Sequence, residues 1–280
     1  QATLRYEMLF ERVPKCAGAR HASERLALEM ALQHDTGTAL IIGANTGAVP
    51  NDPAFALLKR APQWQQLWVE PVPALHSQLV ANLASVPNST AINAAISMDG
   101  ATGGHLTMFC FGQDGNQTLS KLVRTFERSW IVQHHVKPFW SQMCSLDKEM
   151  LLSIERDQLA RAALEPLIAK IRVPALSIDE LLRTYAPHMR RQQVRYVQID
   201  VQGFDDLVVA QLPFQNRSQF GRAEDVVEGK AMPFMPTSVI FEHLLVGPNR
   251  TAAAAARLRR LGYHVCIDHQ NAVATLGAKG

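Results

Sequence analysis

Along the first hundred residues, short apolar runs alternate with segments whose apolar positions recur at helical spacing. Residues 23–33 have that spacing and are predicted helical, with Ser23 placed to cap the start. Residues 38–42 are a continuous apolar run, the pattern of a strand buried on both faces. A helix is predicted over 53–59, a second strand over 66–69 and a third over 91–96. Between the last two, residues 73–84 place Leu75, Leu79 and Leu83 on one helical face. Strands alternating with helices predict a largely parallel sheet covered on both faces.

The alternation then breaks. Residues 105–111 read as a strand, but 115–171 form no simple strand-helix unit. Within them, a stretch rich in Leu, Glu and Arg over 148–171 predicts a long helix. The expectation is one domain over 1–280, with 99–172 as a largely helical insertion or cap inside it. Ser177 and Glu180 stand at capping-box spacing and open the next helix. A strand over 194–201 carries Asp200 at its end, a helix follows over 204–211, and a strand over 238–241 ends beside Glu242 and His243. Residues 251–261 are strongly helical, and Gly262 stops them. Two closing strands, 263–267 and 272–275, predict the antiparallel edge pair of a mixed sheet.

Composition agrees with a packed chain: 280 residues, 47% hydrophobic and 19% charged, which excludes disorder. The net charge of +3 is small and dispersed, so no nucleic-acid partner is expected. Arg190, Arg191 and Arg195 cluster, as do Arg257, Arg259 and Arg260, and the second trio suits the last turn of a helix. No run approaches the ~18 apolar residues of a membrane span. The chain begins at Gln1, which leaves room for a signal peptide or membrane anchor upstream.

Two patterns bear on the compartment. Asn88-Ser89-Thr90, Asn116-Gln117-Thr118, Asn216-Arg217-Ser218 and Asn249-Arg250-Thr251 are N-glycosylation sequons, four from nine asparagines, where chance gives roughly one. All four fall in predicted loops or at element edges. Cys16, Cys110, Cys144 and Cys266 allow two disulfides in three pairings and match no metal-site spacing. Together they point to the secretory pathway or Golgi lumen. Free thiols and accidental sequons would instead mean the cytoplasm.

Candidate chemistry gathers where predicted strands end, which is where open parallel sheets bind ligands. Gly43 and Gly47, in Gly43-Ala44-Asn45-Thr46-Gly47, let a turn pass close to a ligand. Glu70 ends the next strand, where a carboxylate accepts both hydroxyls of a ribose. The turn lacks the three-glycine dinucleotide fingerprint, and no Gly-Lys-Ser/Thr loop exists for a triphosphate. An adenosine without phosphate, as in S-adenosylmethionine, fits better. Asp200 and Glu242, on adjacent strand ends, are candidates to orient an acceptor, remove its proton or hold a divalent cation. Each also suits a helix cap, or a pair with Arg195. His243 is a candidate base, and His134 and His135 lie where an insertion reaches over the site.

Taken together, these segments resemble the FkbM family of S-adenosylmethionine-dependent methyltransferases. The family's Asp-Val-Gly-Ala-Asn-x-Gly motif is similar to Ile41-Ile42-Gly43-Ala44-Asn45-Thr46-Gly47, and its glutamate-proline motif to Val69-Glu70-Pro71 with Leu79 and Asn82 following. Asn93-Ala94-Ala95-Ile96, Ile178-Asp179, Asp200-Val201-Gln202-Gly203, Glu242 and the run from Leu258 to Gly262-Tyr263 extend the likeness. It covers about residues 38–98 and 173–276 and leaves 99–172 outside.

The resemblance implies a Rossmann-like, class I methyltransferase sheet of seven strands with helices on both faces. It implies O-methylation of a sugar, glycan or natural product, with S-adenosylhomocysteine as the other product. Gly43, Ala44, Asn45 and Gly47 would surround the cofactor's methionine part, Glu70 would hold its ribose, and Ala94 and Ala95 would flank its adenine. Asp200 and Glu242 would face the acceptor. Two positions depart from the family: Ile41 stands where it has an acid, and Gln202 where it has a glutamate. These departures set up the rival expectation of a noncatalytic carbohydrate- or protein-binding module that keeps the fold.

Overall fold

A computed structural model describes residues 13–17, 22–48, 52–97, 104–111, 142–153, 155, 158–186, 194–214 and 234–277. In chain order the elements begin with α1 (Ala22–Ala31), β1 (Thr38–Ile42), α2 (Pro53–Leu58), β2 (Gln65–Val69), α3 (Pro73–Leu83) and β3 (Ser89–Ile92). They continue with β4 (Ala95–Ile96), β5 (Gly104–Phe111), β6 (Cys144–Ser145), α4 (Lys148–Leu152), α5 (Gln158–Leu164) and β7 (Ile168–Leu176). The last are α6 (Ile178–Tyr185), β8 (Val194–Ile199), α7 (Asp205–Gln211), β9 (Ser238–Glu242), α8 (Pro248–Arg260), β10 (Tyr263–Ile267) and β11 (Asn271–Leu276).

Seven strands form one mixed sheet in the order β10-β11-β9-β8-β1-β2-β3. Strands β3, β2, β1, β8 and β9 pair in parallel, while β11 runs antiparallel to both β9 and β10. Every residue of β1 is buried, so its side chains divide between two cores. Ala39 and Ile41 pack with Ala27, Leu28, Leu58 and Leu79 of α1, α2 and α3. Leu40 and Ile42 pack with Leu181, Val208 and Leu258 of α6, α7 and α8. Helices thus cover both faces, and their apolar stripes explain why the strands read as unbroken apolar runs. The fold is a Rossmann-like α/β arrangement.

Local signals set several boundaries. Asp52 caps α2 by accepting from the Ala54 N–H, and Ser177 with Glu180 forms the expected capping box of α6. Helix α1 begins at Ala22, so Ser23 lies inside it and does not cap it. Wholly buried Gln66 is satisfied at both ends of its amide, donating to Leu58 O and accepting from Trp68 Nε1. Arg257 and Arg259 donate to Ala210 O and Val265 O around the end of α8, as a helix C-terminus favours.

The insertion departs from expectation. The helix foreseen over 148–171 breaks into α4, α5 and one 3-10 turn at Glu165–Leu167, and the chain then enters β7. Pro166 cannot supply a helical N–H, and from Lys170 onward exposed and inward positions alternate. Strand β7 belongs to a second sheet, in the order β4-β7-β5-β6, and pairs antiparallel with all of β5. The described part of the insertion is therefore not largely helical.

The third strand also divides. Ser89–Ile92 completes the large sheet, and Ala95–Ile96 joins the second one through β7. Asn93 makes the bend by donating Nδ2 to the carbonyls of Glu70 and Pro71, both at 2.9 Å. The two sheets meet at this seam.

All four cysteines are paired, as Cys16–Cys266 and Cys110–Cys144. The second bridge joins facing residues of β5 and β6. The first ties the segment before α1 to β10, where Cys16 N donates to Ile267 O and Ile267 N to Pro14 O. Among the described residues, no helix is long and apolar enough to cross a membrane.

Candidate functional site

Beyond the carboxyl ends of β1, β2 and β8 lies a solvent-open cleft of about 640 Å3, mouth included. One wall is polar and built from Gly43, Asn45, Glu70, Asp200 and Gln202. The opposite wall is apolar, with Val72, Ala94, Ala95, Ile96, Met108 and Leu146 at the seam and the second sheet. A cleft with one apolar wall and a few convergent polar groups is the ordinary form of a small-molecule site.

The glycine turn is held by neighbouring strand ends. Gly43 N and Ala44 N both donate to Val69 O, and Asp200 N donates to Ile42 O, each at 2.9 Å. Gly43 has φ +79°, and a Cβ there would stand 1.7 Å from the carbonyl oxygen of Asp200. Gly47, at φ +77°, sits against Leu79 Cδ1. The close approaches that require these glycines are thus to the protein itself, which revises the reason given for them from sequence. Asn45 also has positive φ, which its short polar side chain tolerates, and Asn82 Nδ2 ties the turn to α3 through Thr46 O at 2.8 Å.

Glu70 is buried behind this turn. Its Oε2 accepts from Asn45 N and its Oε1 from Val72 N, both at 2.8 Å. Burial raises its pKa to about 7, against the pull of those two N–H groups, and the charge of Asp200 adds to the rise. Each oxygen keeps a further lone pair for a ligand hydroxyl.

Asp200 lines the cleft and is exposed to solvent. Desolvation by the protein around it raises its pKa to about 6; Gln202 opposes the rise by donating Nε2 to Oδ1 at 2.6 Å, and Asp52 and Glu24 add to it. Gln202 has φ +54°, and its carbonyl accepts from Ser145 Oγ of the second sheet.

Other expected residues lie elsewhere. Ala44 packs in the core with Ile41, Gly47 faces α3, and neither lines the cleft. Glu242, at the end of β9, also lies outside the cleft lining. Burial, then the charges of Asp200 and Asp205, raise its pKa to about 9. His243 is buried, its Nε2 facing Asp268 O at 3.2 Å, with burial lowering its pKa. It too is outside the cleft lining, so the structure does not bring it to the site as a base. His134 and His135, Arg190 and Arg191, and the sequons at Asn116 and Asn216 fall outside the described residues. Among the described residues, no group of three His, Cys, Asp or Glu side chains is arranged to hold a metal ion.

Two carboxylates matter that the sequence did not single out. Asp205 is fully buried; its Oδ1 accepts from Val201 N and Glu242 N and its Oδ2 from Gly203 N, which joins the Asp200 turn to the end of β9. In the sequence it looks like an ordinary acid in the first turn of a helix. Asp52 accepts from Gln198 Nε2 at 2.8 Å, and Gln198 neighbours Ile41 across the β1–β8 pairing. The α2 cap residue thus reaches the strand position that faces Ile41.

Comparison with family models, curated proteins and solved structures returns no match to this chain.

Proposed function

We propose that the cleft binds S-adenosylmethionine and that the chain methylates a hydroxyl of a sugar or glycan. The observation that carries this reading is Glu70. It is a buried carboxylate at the end of β2, fixed by Asn45 N and Val72 N between a glycine turn and an apolar seam. The mixed sheet of seven strands, with its closing antiparallel pair, suits the class I methyltransferase fold that the motif resemblance implies.

The lining fits the group by its chemistry. The free lone pairs of Glu70 suit ribose hydroxyls, and Val72, Ala94, Ala95 and Ile96 suit the faces of an adenine. Gly43 and Asn45 lie toward Asp200, the polar end suited to an amino-acid tail. When bound, the cofactor supplies an electrophilic methyl on a sulfonium whose leaving group is a neutral thioether. The chain's task is mainly alignment of the two substrates. Asp200, ionised above about pH 6, takes the proton that the acceptor hydroxyl must lose, and Gln202 orients its carboxylate. Met108, Gln142, Cys144 and Leu146, all from the insertion, give the acceptor side its shape.

Ile41, buried among apolar side chains, favours the rival reading of a binding module without catalysis. Titration calorimetry separates the two. Micromolar binding of S-adenosylmethionine, displaced competitively by S-adenosylhomocysteine, is the expected result. No heat at millimolar ligand sinks the enzyme reading, and tight binding of NAD overturns both.

A further inference from the structure

Every cysteine of the chain is in a disulfide, one joining facing strands and the other joining residues 250 positions apart in sequence. Such complete pairing belongs to oxidising compartments, and in eukaryotic cells that route also exposes Asn-x-Ser/Thr segments to glycosylation. Two of the four sequons lie in described residues, and the fold treats them differently.

Asn88 is exposed in the turn between α3 and β3, at the start of an edge strand. Its carbonyl accepts from Gln66 N, placing it beside the amino ends of the parallel strands, while the cleft lies beyond their carboxyl ends. A glycan there points away from the ligand site. Nδ2 donates to Pro62 O at 2.7 Å, which uses one of its two hydrogens and leaves the other replaceable. Asn249 instead lies in the first turn of α8, with Thr251 fully buried and its Oγ1 donated to Gly247 O.

We infer that the chain matures in a secretory compartment and carries an N-linked glycan on Asn88. The co-reactant is a lipid-linked oligosaccharide pyrophosphate. Asn88 Nδ2 forms a bond to the sugar's anomeric carbon and gives up one proton, while the carbon–oxygen bond to the pyrophosphate breaks and the lipid pyrophosphate leaves.

The test is peptide mapping of the protein isolated from the cells that make it, before and after peptide-N-glycosidase in heavy-oxygen water. The expected result is conversion of Asn88 to heavy-oxygen aspartate in most molecules, with Cys16–Cys266 and Cys110–Cys144 recovered as cystines. Thr90→Ala should lose one glycan's mass in intact-mass spectra, and Thr90→Ser should keep it. Unmodified Asn88 in protein whose two cystines are intact overturns the inference, as does a glycan confined to Asn249. Occupancy in the native protein decides the matter even where Thr90→Ala fails to fold.

Discussion

Gly43 has no room for a side chain, because the oxygen of Asp200 would lie 1.7 Å from its Cβ. Gly262 is also at positive φ but has nothing within 4 Å of a built Cβ. Gly262→Ala is therefore expected to cost only the conformational term, ~1–3 kcal/mol. Gly43→Ala should cost clearly more, read as a larger drop in denaturant midpoint at unchanged slope. Equal losses would show that the backbone contact is soft. Asp200→Ala should lower turnover by about 100-fold or more while S-adenosylmethionine affinity stays within a few-fold. Because the base works ionised, the wild-type rate should rise with pH through about 6. Undiminished turnover in the variant would remove Asp200 from the chemistry. At this scale Gly43, Glu70 and Asp200 stand out in the sequence by their places at strand ends, and the structure gathers all three on one cleft; what Gly43 is needed for was not legible, because the group it approaches is the Asp200 carbonyl. Asp52 and Asp205 do not stand out: their near partners, the N–H groups of Ala54, Val201 and Gly203, are those of an ordinary cap or turn, and only folding brings Gln198 to Asp52 and Glu242 N to Asp205.

Among elements, β1 and β10 were legible to the residue, β1 as a short buried run and β10 as an alternation of buried and more exposed positions, each bounded by turn residues. Strand β7 was hidden, because Leu, Glu and Arg ahead of it carry helical propensity and its pairing partner β5 lies some sixty residues earlier. The break at Asn93 was hidden for a similar reason: residues 91–96 read as one strand, and only the second sheet divides them. That second sheet is fastened by Cys110–Cys144, and Cys144 lines the cleft. Replacing both cysteines by serine should cost ~2–4 kcal/mol of stability and weaken any cleft ligand. A double variant that melts with the parent would show that the strand pairing needs no bridge.

The whole molecule concentrates carboxyls whose protons are held more tightly folded than unfolded. Glu70 rises from 4.5 to about 7, Asp200 from 3.8 to about 6 and Glu242 from 4.5 to about 9, and Asp205 rises as well. For a raised carboxyl, the stabilisation is fully present below the unfolded pKa and is lost as pH climbs through the folded one. For Glu70 alone the shift amounts to about 3 kcal/mol. With both disulfides intact, the melting temperature should be higher at about pH 5 than at about pH 9. A flat profile would mean that these groups are solvated or paired once ionised. The Cys16–Cys266 bridge has a consequence of another kind. It makes a covalent ring of everything from the segment before α1 to β10, with the Cys110–Cys144 loop as a smaller ring inside it. A single protease cut within that ring opens the circle without dividing the molecule, and the two pieces part only when the bridge is reduced.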